Sequence, residues 1–408
     1  MDKQILTHKG STLGAILLIA GCSIGAGMLG LPVLSAQAGF VPSAIFFIMS
    51  WLFMLCTGLL LLEANLWYNE DINVVTLAGR TLGKVGQAVA WIVFLFLFYS
   101  LMVAYATGSG QLFTDFFEAF LGLPLPRWIG GLIMIALFGI MLYLGTGAVD
   151  QFNRILMLGL VLTYVLLVLM GNSHIDSQLL KHQNWGAVFF VIPAMIVSFG
   201  FHNLIPSLTS YLGRDSKRLR WALIIGSFIP LLIYLVWQRL VLGIVPLAGK
   251  DSLQIAWDEG QMATHALKNA VGISWIVDIA QFFAFFAIVT SFLGVALSFV
   301  DFLADGLRIP KKGAGKIFLC LLVLLPPYVF SLTHPGAFLS ALNYAGGFGA
   351  VIIFGILPAL IVWSGRYYLG LKGPYLVFGG KPLLVMIILC SMAIIGLQLY
   401  QTLMSYTA

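Results

Sequence analysis

Two short stretches of this chain combine residue types that can free the backbone for chemistry. The first is Gly21, Cys22, Ser23, Ile24, Gly25, Ala26, Gly27, followed by Gly30 and Pro32; the second is Ser198, Phe199, Gly200, Phe201, His202 and Asn203, between Pro193 and Pro206. A glycine costs about 1 kcal/mol and a proline about 3 kcal/mol inside a helix, so such density disfavours a continuous one. A helix broken there exposes N–H groups at the start of one half, which attract a carboxylate, and carbonyls at the end of the other, which attract a cation or an ammonium group. Glycine also lets a ligand approach the backbone closely. Helix packing is the competing reading, since Gly21 and Gly25 form a small-xxx-small pair. His202 could bind a ligand or relay a proton, or serve structurally by donating to a carbonyl. Phe199 and Phe201 could stack on an aromatic ligand, although 31 phenylalanines in the chain make packing the usual role.

A third group is Ala287, Thr290 and Ser291. Hydroxyl and carbonyl oxygens suit a hard cation such as sodium, and equally the two hydroxyls can bond back to their own helix. Tyr99 and Tyr105 lie deep enough in an apolar run to line a path or to pack in a bundle. Enzymatic motifs fail on inspection. Gly25 to Gly30 spells G-x-G-x-x-G without a preceding strand, and Gly79 to Lys84 is too short for a phosphate loop. Paired catalytic carboxylates, H-E-x-x-H and a Ser-His-Asp set do not stand out, so no enzyme is expected. Cys22, Cys56, Cys320 and Cys390 show no ligand spacing and read as small packing residues, with neither disulfide nor cofactor.

The elements that must position these residues follow from composition. Of 408 residues, 61% are hydrophobic and 9% charged, against about 25% charged in a soluble domain. Lipid is therefore the expected solvent, and the apolar blocks have the length of spanning helices rather than of alternating barrel strands. Eleven spans are predicted, at 11–35, 41–65, 86–117, 128–147, 154–171, 187–211, 220–245, 272–300, 317–333, 337–363 and 382–403. The first is taken as a retained helix, not a cleaved signal. With a cytoplasmic N-terminus, sixteen of the 21 Lys and Arg fall on inside segments, and Arg127, Lys181, Arg239, Lys250 and Lys268 remain outside. That asymmetry follows the positive-inside rule and supports N-in, C-out. The net charge of +6 is thus a matter of topology, and no nucleic-acid partner is expected. Polar stretches around 66–85 and 246–271 read as loops with a short helix each, which leaves a single membrane domain. The two glycine- and proline-rich stretches fall in spans one and six, so spans one to five and six to ten would start at opposite faces. This is an all-α membrane protein with a 5+5 inverted repeat, broken helices one and six, and an eleventh helix.

The motifs AGCSIGAGMLGLP at 20–32, LLLLEANL at 59–66, SFGFHNLIPSL at 198–208 and TSFLGVALSFVDFLAD at 290–305 resemble the bacterial hydroxy and aromatic amino acid permeases, most of all those specific for tyrosine. The resemblance covers nearly the whole chain. It implies the leucine-transporter type of fold and import of an aromatic amino acid, tyrosine first, through a bacterial inner membrane by symport. By analogy Ser23, Gly25 and Gly27 would hold the substrate carboxylate, while Ser198, Phe201 and carbonyls near Phe199 would meet its amino group and side chain. Tyr99 or Tyr105 would close the pocket, and Ala26, Gly200, His202 and Asn203, at the same two breaks, complete the candidate substrate-binding set. A sodium ion would sit at Gly21, Ile24, Ala287, Thr290 and Ser291. Proton-driven relatives of the fold place a lysine from span five there, and span five of this chain has none, so both ions stay open, with the proton slightly ahead. An uncoupled facilitator or channel is the alternative.

Overall fold

The computed structural model describes residues 10–70, 72–122, 125–271 and 274–407. Lys3 and Lys9 of the charge count and the first two positions of span eight lie outside the described residues. Every regular element among those described is helical. In chain order these are α1 (Thr12–Ser23), α2 (Gly27–Ser35), α3 (Phe40–Leu66), α4 (Val74–Leu121), α5 (Arg127–Leu144), α6 (Thr146–Gly171), α7 (Ile192–Ser198), α8 (Ile205–Tyr211), α9 (Ser216–Ile244), α10 (Leu253–Asp258), α11 (Ala263–Val271), α12 (Ser274–Leu307), α13 (Gly313–Thr333), α14 (Ala337–Tyr344), α15 (Leu357–Tyr367) and α16 (Gly380–Thr407). A π-helical segment, Ala345–Ile356, joins α14 to α15.

Among the described residues nine helical stretches, the broken Ile192–Tyr211 included, are long and apolar enough to cross a membrane, and α1 with α2 makes a tenth, bent by 51° at its break. The shorter apolar helix α5 completes the predicted order of eleven. Several boundaries differ from expectation for local reasons. Val74–Leu121 is two helices joined across a kink at Gly83 (φ 74°), so a short helix in the polar stretch 66–85 leads directly into the third span. Left-handed backbone of this kind suits glycine. The polar stretch 246–271 holds two short helices, α10 and α11, where one was expected. Capping fixes other starts: the Ser11 side chain accepts from Gly14 N–H at the start of α1, and Asp215 accepts from the N–H groups of Lys217 and Arg218 at the start of α9. Each such cap satisfies donors that the first turn leaves open.

Helices in lipid gain little from apolar burial against one another, so close approach and polar contacts hold them together. A Cβ added to Gly226 of α9 would lie 2.8 Å from Ile19 of α1, which shows how closely these two helices pack. Serine and threonine hydroxyls inside spans mostly return to carbonyls one turn back, as in Ser35 to Leu31 and Thr209 to Ile205. One buried ion pair spans the chain. Arg366 donates to Glu63 from Nε (2.6 Å) and Nη2 (2.7 Å), Leu376 N–H adds a third bond at 2.8 Å, and the Tyr375 ring covers the guanidinium. It ties the end of α3 to the end of α15 and to the loop before α16.

The two halves of the first span sit in unequal surroundings. Around α2 pack α7, α9, α10, α11 and α14, whereas α1 packs mainly on α9. The opposite face of α1 is open, with Leu13, Leu17 and Leu18 more than half exposed and Cys22 exposed beside the break.

Candidate functional site

The two broken spans meet at their breaks. Span one is interrupted over Ile24 to Ala26, and Ile24 is in an extended conformation. Span six is interrupted between Ser198 and Ile205, with a single 3-10 turn at His202–Leu204. The contacts between them are reciprocal. Cys22, near the end of α1, directs its thiol to the Gly200 carbonyl (3.5 Å) and towards Asn203 Oδ1 (3.9 Å), just before α8. Gly27, which starts α2, faces Ser198, which ends α7: a Cβ at Gly27 would lie 2.9 Å from the Ser198 hydroxyl. The end of each first half thus meets the start of the other span's second half, the relation expected of two antiparallel broken helices.

Backbone groups are left open at this junction. Met28 and Leu29 donate to Gly25 and Ala26 carbonyls at 3.1 Å each, but the N–H groups of Gly25 and Gly27 have no backbone acceptor among the described residues. The Ser23 hydroxyl is buried and has no partner among the described residues. Buried backbone and hydroxyl groups are ordinarily satisfied, and open N–H groups at a helix start favour an anion. At the other ends, the carbonyls of Ser23 and Ser198 both accept from one group, the Tyr234 hydroxyl of α9, at 2.8 Å for Ser198. These carbonyls close α1 and α7 respectively, so they carry the negative ends of two half-helices.

The predicted site residues separate into three sets. Ser23, Gly25, Ala26, Gly27, Ser198, Gly200 and Asn203 lie at the junction, and Tyr105 of α4 lies within electrostatic reach of Cys22 and Tyr234. Phe199, Phe201 and His202 are fully buried behind it. Phe199 packs on Tyr234 and Phe47; Phe201 lies against Gly58 of α3, so closely that a Cβ there would be 2.8 Å from its ring; His202 stacks between Phe201 and Phe354. Tyr99 points elsewhere: its hydroxyl donates to the Leu322 carbonyl of α13 at 2.9 Å, and its ring stands edge-on to Phe299.

The candidate cation residues lie where span one faces α12. Ser291 Oγ accepts from Ala26 N–H at 2.8 Å and donates to the Ala287 carbonyl at 2.8 Å; Thr290 Oγ1 donates to Phe286 (2.8 Å) and reaches Ala287 (3.1 Å). Both hydroxyls therefore bond back to their own helix, and Ser291 also bridges to the break. Gly25 leaves room for this contact, because a Cβ there would overlap the Ser291 hydroxyl and force that side chain to move. Next to Gly21 comes Met157 of α6, 3.3 Å from where a Cβ would stand, so span five supplies a thioether and no charge at this place. His, Cys, Asp and Glu form no group able to hold a metal among the described residues.

Sequence reasoning missed α9. Tyr234 joins the two breaks, Trp237 Nε1 donates to the Met28 carbonyl at 2.9 Å, and Gln238 donates to Ser35. The signal was present, since Ser227, Pro230, Leu231, Tyr234, Trp237, Gln238 and Val241 recur at helical spacing and are all buried. Hydrogen-bonding side chains on one buried face of a span mark it as turned towards the bundle interior.

Comparison with known proteins agrees with this architecture. A mutant of the Eremococcus coleocola manganese transporter superposes with a TM-score of 0.63 at 13% identity, covering 98% of this chain and 88% of that one. The shared fold is of the leucine-transporter type. Tyrosine-specific transport system 1 of Haemophilus influenzae is 32% identical over 391 residues, 94% of this chain and 95% of that protein. The tryptophan-specific transport protein of the same organism is 32% identical over 391 residues, 93% of each. The tryptophan/tyrosine permease family matches residues 8–398. The chain is thus a multi-pass membrane transporter rather than an enzyme, and it belongs to the tryptophan/tyrosine permease family.

Proposed function

We propose that this permease imports an aromatic amino acid, tyrosine first, by ion-coupled symport through a bacterial inner membrane, with its N-terminus cytoplasmic and its C-terminus periplasmic. The observation that carries the reading is the junction of the two breaks. It offers the open N–H groups of Gly25 and Gly27 and the unpartnered Ser23 hydroxyl to a carboxylate, and the paired carbonyls of Ser23 and Ser198 to an ammonium group. One α-amino acid satisfies both sets at once. The relatives named for tyrosine and for tryptophan supply the aromatic class. Because α1, the half nearer the N-terminus, is the less enclosed half of span one, we read this arrangement as the cytoplasm-facing one.

The coupling ion is proposed as the proton ahead of sodium. Purified protein in liposomes should concentrate labelled tyrosine under an imposed pH gradient. Uptake that only equilibrates under every gradient would favour a facilitator. Sodium stimulation, where present, should vanish when Thr290 and Ser291 are both replaced by Ala; sodium dependence that survives would discard that cation site.

A further inference from the structure

His202 has an unusual set of neighbours for a residue at the edge of a transport site. It is fully buried, and Nε2 lies 3.0 Å from the Thr57 hydroxyl of α3. That hydroxyl is already committed as a donor to its own helix, with the Phe53 and Met54 carbonyls at 3.1 and 3.2 Å. Of the two ring tautomers, the one protonated on Nε2 lets the imidazole donate to this hydroxyl, whereas a proton on Nδ1 would be a buried N–H without an acceptor; the favoured tautomer therefore leaves Nδ1 as a bare acceptor. Nδ1 is buried and has no partner. The ring itself is sandwiched: Phe201 lies 4.9 Å away at 28° and Phe354 lies 4.6 Å away at 17°. Aromatic faces attract cations, so the pocket offers a positive imidazolium two ring faces and an accepting hydroxyl.

We infer that His202 is the proton-coupling residue of this permease: Nδ1 takes a proton from water when the break opens, and the charged ring drives span six towards its other arrangement. This deepens the proposed symport and rests on it. In the packing seen here Nδ1 accepts nothing and donates nothing, so a proton placed there creates a buried N–H without an acceptor, a state that a different arrangement of the break relieves. Proton binding thus biases a two-state element, which is what coupling requires. Phe354 belongs to the π-helical segment, a distortion often found where a helix serves function, and Phe201 and His202 lie in the break itself.

The titratable groups facing this histidine are few. On α3, Cys56 adjoins Thr57, and Glu63 lies six residues on with its charge held by Arg366. From α1, Cys22 reaches Gly200 and Asn203 on either side of His202. From α4, Phe94 packs on Phe354 and Tyr105 lies within electrostatic reach of Cys22; from α9, Tyr234 packs on Phe199. No free carboxylate or ammonium competes for the proton among these contacts.

The test compares two activities of purified protein in liposomes: accumulation of labelled tyrosine or tryptophan driven by an imposed pH gradient, and exchange across equilibrated membranes without one. In His202→Gln the ratio of accumulation to exchange should fall at least tenfold, since exchange needs no net proton movement. An unchanged ratio overturns the inference. Wild-type uptake that follows only a sodium gradient also overturns it, yet leaves aromatic transport intact, whereas absence of any aromatic uptake removes the underlying reading. Should His202→Gln fail to fold, Thr57→Val carries the test. It is close in shape and removes the acceptor that favours the charged ring, so the pH profile of uptake should move to lower pH by about half a unit or more. A profile that stays in place overturns the inference.

Discussion

Two side chains at the junction make opposite demands on it. Tyr234 adds a hydroxyl that the Ser23 and Ser198 carbonyls share, so Tyr234→Phe leaves two buried acceptors without that donor. A lost buried hydrogen bond of this type costs about 1–3 kcal/mol. Because the carbonyls bind substrate in the proposed function, KM for tyrosine should rise about tenfold, the equivalent of ~1.4 kcal/mol, with kcat changed less. An unchanged KM would mean that the half-helix ends hold their places without Tyr234. Gly25 makes the reverse demand, for absence of a side chain. Gly25→Ala should abolish uptake because the new methyl overlaps the Ser291 hydroxyl. Adding Ser291→Ala removes that oxygen, although Ala26 N–H then lacks its acceptor. The double variant should recover part of the uptake, and failure to exceed Gly25→Ala alone would show that the obstacle lies elsewhere. The glycine was legible as a site of close approach from its neighbours in the chain. Its partner was not, since Ser291 lies 266 positions away along the chain and meets it only through packing.

At the scale of elements, local chemistry accounts for the breaks and not for the orientation of helices. Gly21, Gly25, Gly27 and Pro32 disfavour helix wherever they fall, so the interruption of span one is a property of the segment. Tyr99 and Tyr105 illustrate the opposite case. They lie six residues apart on α4, yet one bonds α13 while the other nears the junction. Six residues on a helix of 3.6 per turn is a rotation of about 240°, so which one faces the site depends on how α4 is turned in the bundle. The Glu63–Arg366 pair follows the same logic. Nothing in the local sequence pairs these two residues, and the fold joins them across 303 positions. Arg366→Met should leave a buried carboxylate with only the Leu376 N–H among these partners, at a cost of about 3–5 kcal/mol. Thermal unfolding in detergent should register that as a clear drop in midpoint, and a wild-type midpoint would show that the carboxylate finds another partner or is held neutral.

For the whole molecule, the asymmetry between α1 and α2 is the property that bears on transport. The second half-helix is enclosed by five neighbouring helices and the first mainly by α9, so α1 is the less constrained half of the broken span. Cys22, beside the break, is exposed. In a variant that retains only this cysteine, a polar maleimide should label Cys22 from the N-terminal side of the membrane, and added tyrosine should slow the labelling. Labelling from the opposite side alone would contradict the proposed cytoplasm-facing arrangement. Cys22 also belongs to the junction, as a small side chain at a break whose thiol reaches the carbonyl of the other broken span.

The sequence by itself determined that the chain is a helical membrane protein with breaks in its first and sixth spans, because hydropathy over roughly 20 residues and glycine or proline within a turn are local quantities. The motifs it carries placed it among aromatic amino acid permeases. Only the tertiary structure decided that α9 would join the two breaks through Tyr234, that Tyr99 would turn away, and that His202 would be enclosed by Thr57, Phe201 and Phe354. Those outcomes depend on the rotation and depth of each helix against several others at once. In lipid that choice falls to close packing and a few buried hydrogen bonds, whose partners are set by the bundle and not by spacing along the chain.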